Sequence, residues 1–329
     1  MLQIDRPLGL GELLDGAFRL YRAQFARLVL TAAIFLVPVG VLSTLLLGAT
    51  MGDFTQLILE AGSEPVDGGL DPGLGAVGAY LLTGLLGYLG TGLAFVSLTA
   101  QAAGLIGGEE LTPGQSIRRG ARRLLPFAGM VLLAGLAVTA LVVALYVVLF
   151  FVVFASALAL GFVGENTGAG VLAVALAVVA FVFYMALIVA VFIPVGLLLA
   201  RWAAAPALVV VEKLGPVQSL SRSWQLTRHN LWRVFGYLVL LAIFNFVVLG
   251  LPVSVLQSLL VFALTTQWYG WLSGLLVGVS YLLNVLWVPF LVLALVMLYF
   301  DLRVRNESLD LEARVRALEE STRPGTLPL

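Results

Sequence analysis

Apolar residues fall in six long blocks, at about 28–48, 75–105, 127–160, 169–200, 233–262 and 272–300. Each is close to or above the roughly 20 residues that an α-helix needs to cross a bilayer. Pro38, Pro252 and Pro289 lie inside three of them and predict kinks, which membrane helices tolerate when neighbouring groups satisfy the freed carbonyl. Ahead of the first block, Leu10, Leu13, Leu14, Phe18, Tyr21, Phe25 and Leu28 recur three and four apart, with Glu12, Asp15, Arg19 and Arg22 on other faces. That spacing predicts an amphipathic helix lying in the interface. In the second block Ala79, Thr83, Gly87 and Thr91 form a stripe of small residues, which in lipid lets helix backbones approach closely.

The predicted fold is all-α: six transmembrane helices in three hairpins, each hairpin preceded by a cytoplasmic amphipathic helix. Residues 1–320 form one six-span membrane domain, and 321–329 (RPGTLPL is the end of the chain) read as a disordered tail. Composition agrees. Of 329 residues 61% are hydrophobic and 11% charged, where a soluble domain carries roughly 25% charged residues. The first apolar run is longer than the h-region of a secretory signal and reads as a retained span.

Charge sharpens the topology. All 18 Lys and Arg fall in the N-terminal segment, the 108–126 loop, the 201–233 loop and the C-terminal tail, and the loops at 49–74, 161–169 and 263–271 have none. The acids divide 12 to 6, so the two faces carry +6 and −6. The positive-inside rule places both termini in the cytoplasm, as expected of a multi-pass protein of the cell membrane. Three units offset by 103 residues also emerge: Leu14, Ile117 and Leu220 correspond, as do Glu12, Gln115 and Gln218, and Gly16, Arg119 and Arg222. They divide the chain into pseudo-repeats 8–107, 111–210 and 214–303, parallel because each hairpin returns to its starting side.

Candidate chemistry is sparse. With no Cys there is no disulfide, thiolate nucleophile or Cys-ligated metal, and the single His229 leaves little for acid–base work. GLGAVG at 73–78 fits a dinucleotide fingerprint but opens a membrane span rather than a βαβ unit, so helix packing explains it. Asp67, Asp71 and their acidic neighbours lack calcium-loop spacing. Asn306-Glu307-Ser308 is a glycosylation sequon on the wrong side of the membrane. Apart from Arg233 at the edge of the fifth, the blocks contain no Asp, Glu, Lys or Arg, which argues against ion coupling. Their amides Gln101, Asn245, Gln257 and Asn284 suit bonds between helices. No metal or cofactor is implied, and nothing points to nucleic acid.

The basic intervals carry more. Arg118, Arg119, Arg122 and Arg123 share one side of a short helix beside a span, where each gains about 1 kcal/mol near an anionic leaflet. The same residues also serve simply to set topology. In the stretch 201–235, Arg201 and Trp202 suit the headgroup level, Glu212 and Arg222 can pair, and Pro216 starts a helix. On that helix Leu220, Trp224, Thr227 and Leu231 would form one face, leaving Arg222, Gln225, His229 and Arg233 elsewhere. Together with Arg228 and Trp232 these make the candidate lipid- or partner-binding set.

The segments RPLGLGELLDGAFRLYR (6–22), ARWAAAPALVVVE (200–212), SLSRSWQLTRHNLWRVF (219–235) and YFDLRVRNESLDLE (299–312) resemble the bacterial membrane domain associated with glycerophosphoryl diester phosphodiesterases. Ser308 stands where related sequences commonly have Gly. The resemblance implies a stand-alone membrane domain without the family's catalytic barrel, whose paired histidines and acidic metal ligands this chain lacks. The expected function is that of a non-enzymatic accessory or scaffold protein that interacts with lipid headgroups or recruits a partner. The alternatives are a permease or lipid translocator without ion coupling, in which Pro194 joins the other prolines as a hinge and Asn245, Gln257 and Asn284 line a groove, and an interfacial enzyme using Glu212, Arg222 and His229.

Overall fold

The computed structural model describes residues 8–60, 71–109, 111–167, 170–264, 266 and 268–307. All regular structure among them is helical. Six stretches are long and apolar enough to cross a membrane: Phe25–Met51, Leu74–Ile106, Leu124–Val148, Phe192–Val211, Leu231–Ala263 and Tyr269–Asn306. The chain is therefore a multi-pass membrane protein, with its polar helix ends gathered where the basic residues lie.

In chain order, α1 (Leu10–Ala23) leads into α2 (Phe25–Glu60), and α3 (Asp71–Ile106) returns to the short α4 (Pro113–Ala121). Then come α5 (Leu124–Thr167), α6 (Gly170–Arg201), and the short α7 (Ala205–Val211) and α8 (Pro216–Thr227). The fifth crossing is α9 (Leu231–Asn245), a π-helical turn at Phe246–Gly250, and α10 (Leu251–Leu259), ending in a 3-10 turn; α11 (Tyr269–Glu307) closes the chain.

The helices outrun the apolar blocks. Asp53 and Glu60 lie on the end of α2 and Asp71 opens α3, rather than belonging to a loop over 49–74; Glu64 and Asp67 lie outside the described residues. Helical hydrogen bonding does not stop at the membrane edge, and no proline follows Pro38 before Pro65. Likewise α5 runs through most of the expected GENTG turn, to Thr167. The helix α7 lies in the 201–233 interval, which reads from sequence as a loop after the fourth block. Pro206 has no N–H to offer the Trp202 carbonyl, which instead accepts from Ala205 N–H at 3.0 Å, so α6 stops at Arg201 and a new helix begins. Pro252 acts similarly on the fifth crossing: deprived of one i−4 bond, the chain widens, and Leu251 N–H bonds the Phe246 carbonyl five residues back.

The core is built on α11, buried from Val285 to Leu302 over most of its positions and packed on α2. Close approach is possible because Gly40, Thr44 and Gly48 of α2 face Gly274 and Gly278 of α11 at four-residue spacing. A Cβ on Gly274 would stand 2.7 Å from the Gly48 backbone nitrogen. The stripe on α3 contributes less intimately: Ala79 and Thr83 are buried, and Gly87 lies under the Tyr281 hydroxyl. One amide does join helices, with the Thr31 hydroxyl donating to Gln101 Oε1 at 3.0 Å in the buried α2–α3 contact.

Gly274→Leu therefore forces α2 and α11 apart and lowers stability by about 1–3 kcal/mol or more. Gly135→Leu, where a side chain meets nothing within 4 Å, leaves it nearly unchanged. Thermal unfolding in detergent followed by tryptophan fluorescence compares the two, and equal midpoints would refute the close crossing.

Candidate functional site: the basic end of the bundle

Three short helices shape this end, and their first residues, Leu10, Pro113 and Pro216, are 103 residues apart. Each is capped alike. The third-residue side chains of Glu12, Gln115 and Gln218 accept the backbone N–H of Gly9, Thr112 and Gly215 at 2.7, 3.1 and 3.3 Å. Their inward positions also correspond: Leu13 and Ala17, Ser116 and Gly120, Ser219 and Ser223 are all buried. Gly120 lets α4 sit directly on α3, since a Cβ there would come within 2.8 Å of the Ser97 backbone.

Where the last helix leaves the bundle, Asp301 is fully buried. Its Oδ1 accepts the Leu8 N–H at 2.8 Å. Oδ2 pairs with Arg305 Nε at 2.9 Å and with Arg233 at 3.2 Å. Both arginines also donate to the Leu8 carbonyl. Read from sequence, Asp301 belonged to a polar tail and the spans held no charge; in fact α11 continues unbroken past it, and a buried carboxylate closes the sixth span. Its charge is tolerated because two guanidinium groups and an amide surround it. Nearby, Asn306 donates to the Leu226 carbonyl at 2.8 Å, and the Tyr299 hydroxyl donates to Glu212 Oε1 at 2.8 Å. The expected Glu212–Arg222 pair is present at 4.0 Å, beyond hydrogen-bond reach.

The predicted arginine cluster divides. Arg119, Arg122 and Arg123 line a recess of about 810 Å³ between α3, α4 and the turn after α7, and Arg118 does not. Lys213, the chain's only lysine, completes the lining and went unnoticed in the sequence. It stands at φ 58, a left-handed conformation unusual for a residue with a Cβ. Its carbonyl accepts from Arg123 at 3.2 Å. Across the recess α3 ends in a Schellman turn with Gly108 at φ 83, Gly108 N–H reaching Leu105 O and Glu109 N–H reaching Gly104 O. That turn presents Glu109 to Arg119 at 2.7 Å. The side chains of Arg122 and Lys213 have no hydrogen-bond or ion-pair partner among the described residues.

Residues 13–302, which include five crossings whole and the sixth as far as Leu302, match a family described as a domain of unknown function (DUF7847). The chain belongs to the DUF7847 family. No curated protein and no solved structure matches it. In this DUF7847 chain the matched segment contains the recess and Asp301, while Leu8 and Arg305 lie just outside it.

The remaining candidates are scattered. Arg201 lies 4.7 Å over the Trp224 ring, with one guanidinium nitrogen buried and unbonded. Its carbonyl, released by the end of α6, accepts the hydroxyls of Ser223 and Thr227 at 2.8 and 3.3 Å. Those bonds turn Ser219, Ser223, Leu226 and Thr227 of α8 inward, not the expected face through Leu220 and Trp224, and leave Trp224 exposed. Trp202 packs on a small cluster with Phe127 and Val209. Arg228, His229 and Trp232 are exposed, and Arg233 is occupied by Asp301.

A second cavity, of about 830 Å³ and largely apolar, lies between α3 and α5, lined by Gly84, Tyr88, Phe95, Phe127 and Tyr281 among others. At 100° per residue, its positions on α3 and those of the recess (Ala100, Gly104, Gly107) are about 140° apart. The two cavities thus lie on different faces of α3. Of the amides expected to line a groove, Gln257 borders a separate cavity of about 310 Å³, and Asn284 bonds the Ser280 carbonyl of its own helix at 2.8 Å. Among the described residues no three of His, Cys, Asp and Glu come together to hold a metal ion.

Asp301→Ala leaves two guanidinium groups facing each other without a counter-charge and destabilises the protein by about 3 kcal/mol, the low end of the range for buried pairs because both arginines reach solvent. Arg119→Gln, which breaks the exposed pair with Glu109, costs less than about 1 kcal/mol. Unfolding in mixed micelles measures both; equal losses would show that Asp301 is no keystone.

Proposed function

We propose that this DUF7847 protein is a non-enzymatic membrane accessory or scaffold whose basic face lies in the cytoplasm and attracts anionic lipid headgroups, or a partner docked there. The observation that carries this reading is the recess: three arginines and a lysine gathered by different elements around one open volume. The charge asymmetry of the loops supports the orientation. Coinciding helix starts and caps at 103-residue intervals support three parallel units, each a short interfacial helix followed by a hairpin. The resemblance to the membrane domain of glycerophosphoryl diester phosphodiesterases fits a lipid-phosphate role without carrying over hydrolysis, for which no paired histidines exist. A second reading, a lipid translocator without ion coupling, is favoured by the apolar cavity beside α4.

Replacing Arg118, Arg119, Arg122 and Arg123 together by Gln removes four charges, each worth about 1 kcal/mol beside an anionic leaflet. Reconstituted protein then loses at least about tenfold in affinity for anionic over zwitterionic lipid, measured by native mass spectrometry of retained lipid. An unchanged preference in correctly inserted protein would overturn the accessory reading.

A further inference from the structure

We propose that the recess between α3, α4 and the α7–α8 turn is a discrete site for a phosphate group. This deepens the reading above and rests on it. Four cations face one carboxylate there, for a net charge of +3 among the lining side chains. Residues that only set topology need no common volume, and Arg118 and Arg228 are exposed without bordering the recess. The recess residues are arranged differently. Arg119 is oriented by Glu109 at 2.7 Å, and Arg123 by the Lys213 carbonyl at 3.2 Å. Lys213 is set by a left-handed backbone, and Arg122 caps the end of α4.

Two of the four cations, Arg122 and Lys213, are left without a partner among the described residues beside two that are already aimed. Like charges held around a common volume repel, and an anion entering it gains from all of them at once. A phosphate group suits the set better than a carboxylate, because its tetrahedrally disposed oxygens can accept from guanidinium forks and an ammonium on different sides, and a monoester or free phosphate adds a further free oxygen and higher charge. Gly104, near the end of α3, and Gly107, just past it, form part of the wall. The group can belong to a lipid headgroup or to a free phosphate.

The test compares two charge-matched double variants of the full chain in nanodiscs. R122Q/K213Q neutralises the recess, and R118Q/R228Q removes the same charge from the surrounding surface. One arm titrates phosphatidylglycerol into phosphatidylcholine nanodiscs and counts retained lipid by native mass spectrometry. The other titrates inorganic phosphate into pure phosphatidylcholine nanodiscs and follows heat. The wild type shows saturable binding in one arm, which identifies the source of the phosphate. R122Q/K213Q weakens that binding by about tenfold or more, and R118Q/R228Q by less than about twofold. Unfolding midpoints equal to the wild type's establish that both variants fold; should R122Q/K213Q fall short, R122K/K213R, which keeps the charge, restores binding if the site is real. Equal weakening by both pairs would overturn the discrete site and leave the general attraction for anionic lipid standing. No saturable binding and no preference for phosphatidylglycerol would remove the site and the accessory reading together.

Discussion

A carboxylate placed where the last helix leaves the apolar layer must be neutralised locally, and the way Asp301 is neutralised determines how the basic end of this protein is assembled. Its partners come from three distant parts of the chain: the Leu8 backbone before α1, Arg233 at the start of α9, and Arg305 one turn along its own helix. With side-chain exposure of 0% for Asp301 against 21% and 24% for the arginines, the acid is dry while the cations still touch water. Such a pair contributes little if replaced wholesale by apolar groups, but breaking it by half strands a buried charge. Its value is therefore geometric: it holds the first short helix, the fifth crossing and the sixth crossing in one register.

The same end shows a division of labour among short helices. Each is capped by its own third residue; α4 docks through Ser116 and Gly120 and α8 largely through Ser and Thr, whereas α1 docks through an apolar face centred on the fully buried Leu13. That explains how α4 can lie on α3 backbone to backbone at Gly120 while its long arginines fan out from the opposite side. Deeper in the bundle the same rule operates between α2 and α11. Lipid offers no hydrophobic gain to helix association, so contact area must come from close approach, and glycines at 40, 48, 274 and 278 supply it.

Much of this was legible in the sequence. Length and apolarity located all six crossings, since a spanning helix has few ways to be built. The three short helices announced themselves through Glu or Gln at fixed spacing, and two of them also through an opening proline. What escaped detection lies where local signals conflict with long-range ones. Asp301 looked like the first residue of a polar tail, because an apolar run ending in Asp is indistinguishable from a span ending in a buried ion pair until its partner is known. An i, i+4 arginine at 305 was the one local hint. Helix α7 was concealed because Ala and Val continue an apolar run, and only Pro206 marked the break. Lys213 sat in an unremarked turn; its left-handed backbone, and hence its direction, follows from no sequence signature, because glycine or asparagine is the usual occupant.

The basic residues illustrate why sequence could name a set but not a site. Positive-inside topology and anion binding ask for the same side chains, so composition cannot separate them. Geometry can, because topology acts through each charge independently whereas a binding site requires charges to converge. By that criterion, among the described residues, Arg233 is structural, Arg201 is stacked on Trp224, Arg118 and Arg228 border no shared recess, and Arg119 of α4, with Arg122 and Arg123 just past its end, converges with another element. Convergence of like charge is costly unless something offsets it. Glu109 offsets one of the four, and the imbalance that remains is the physical ground for expecting an anion in that volume.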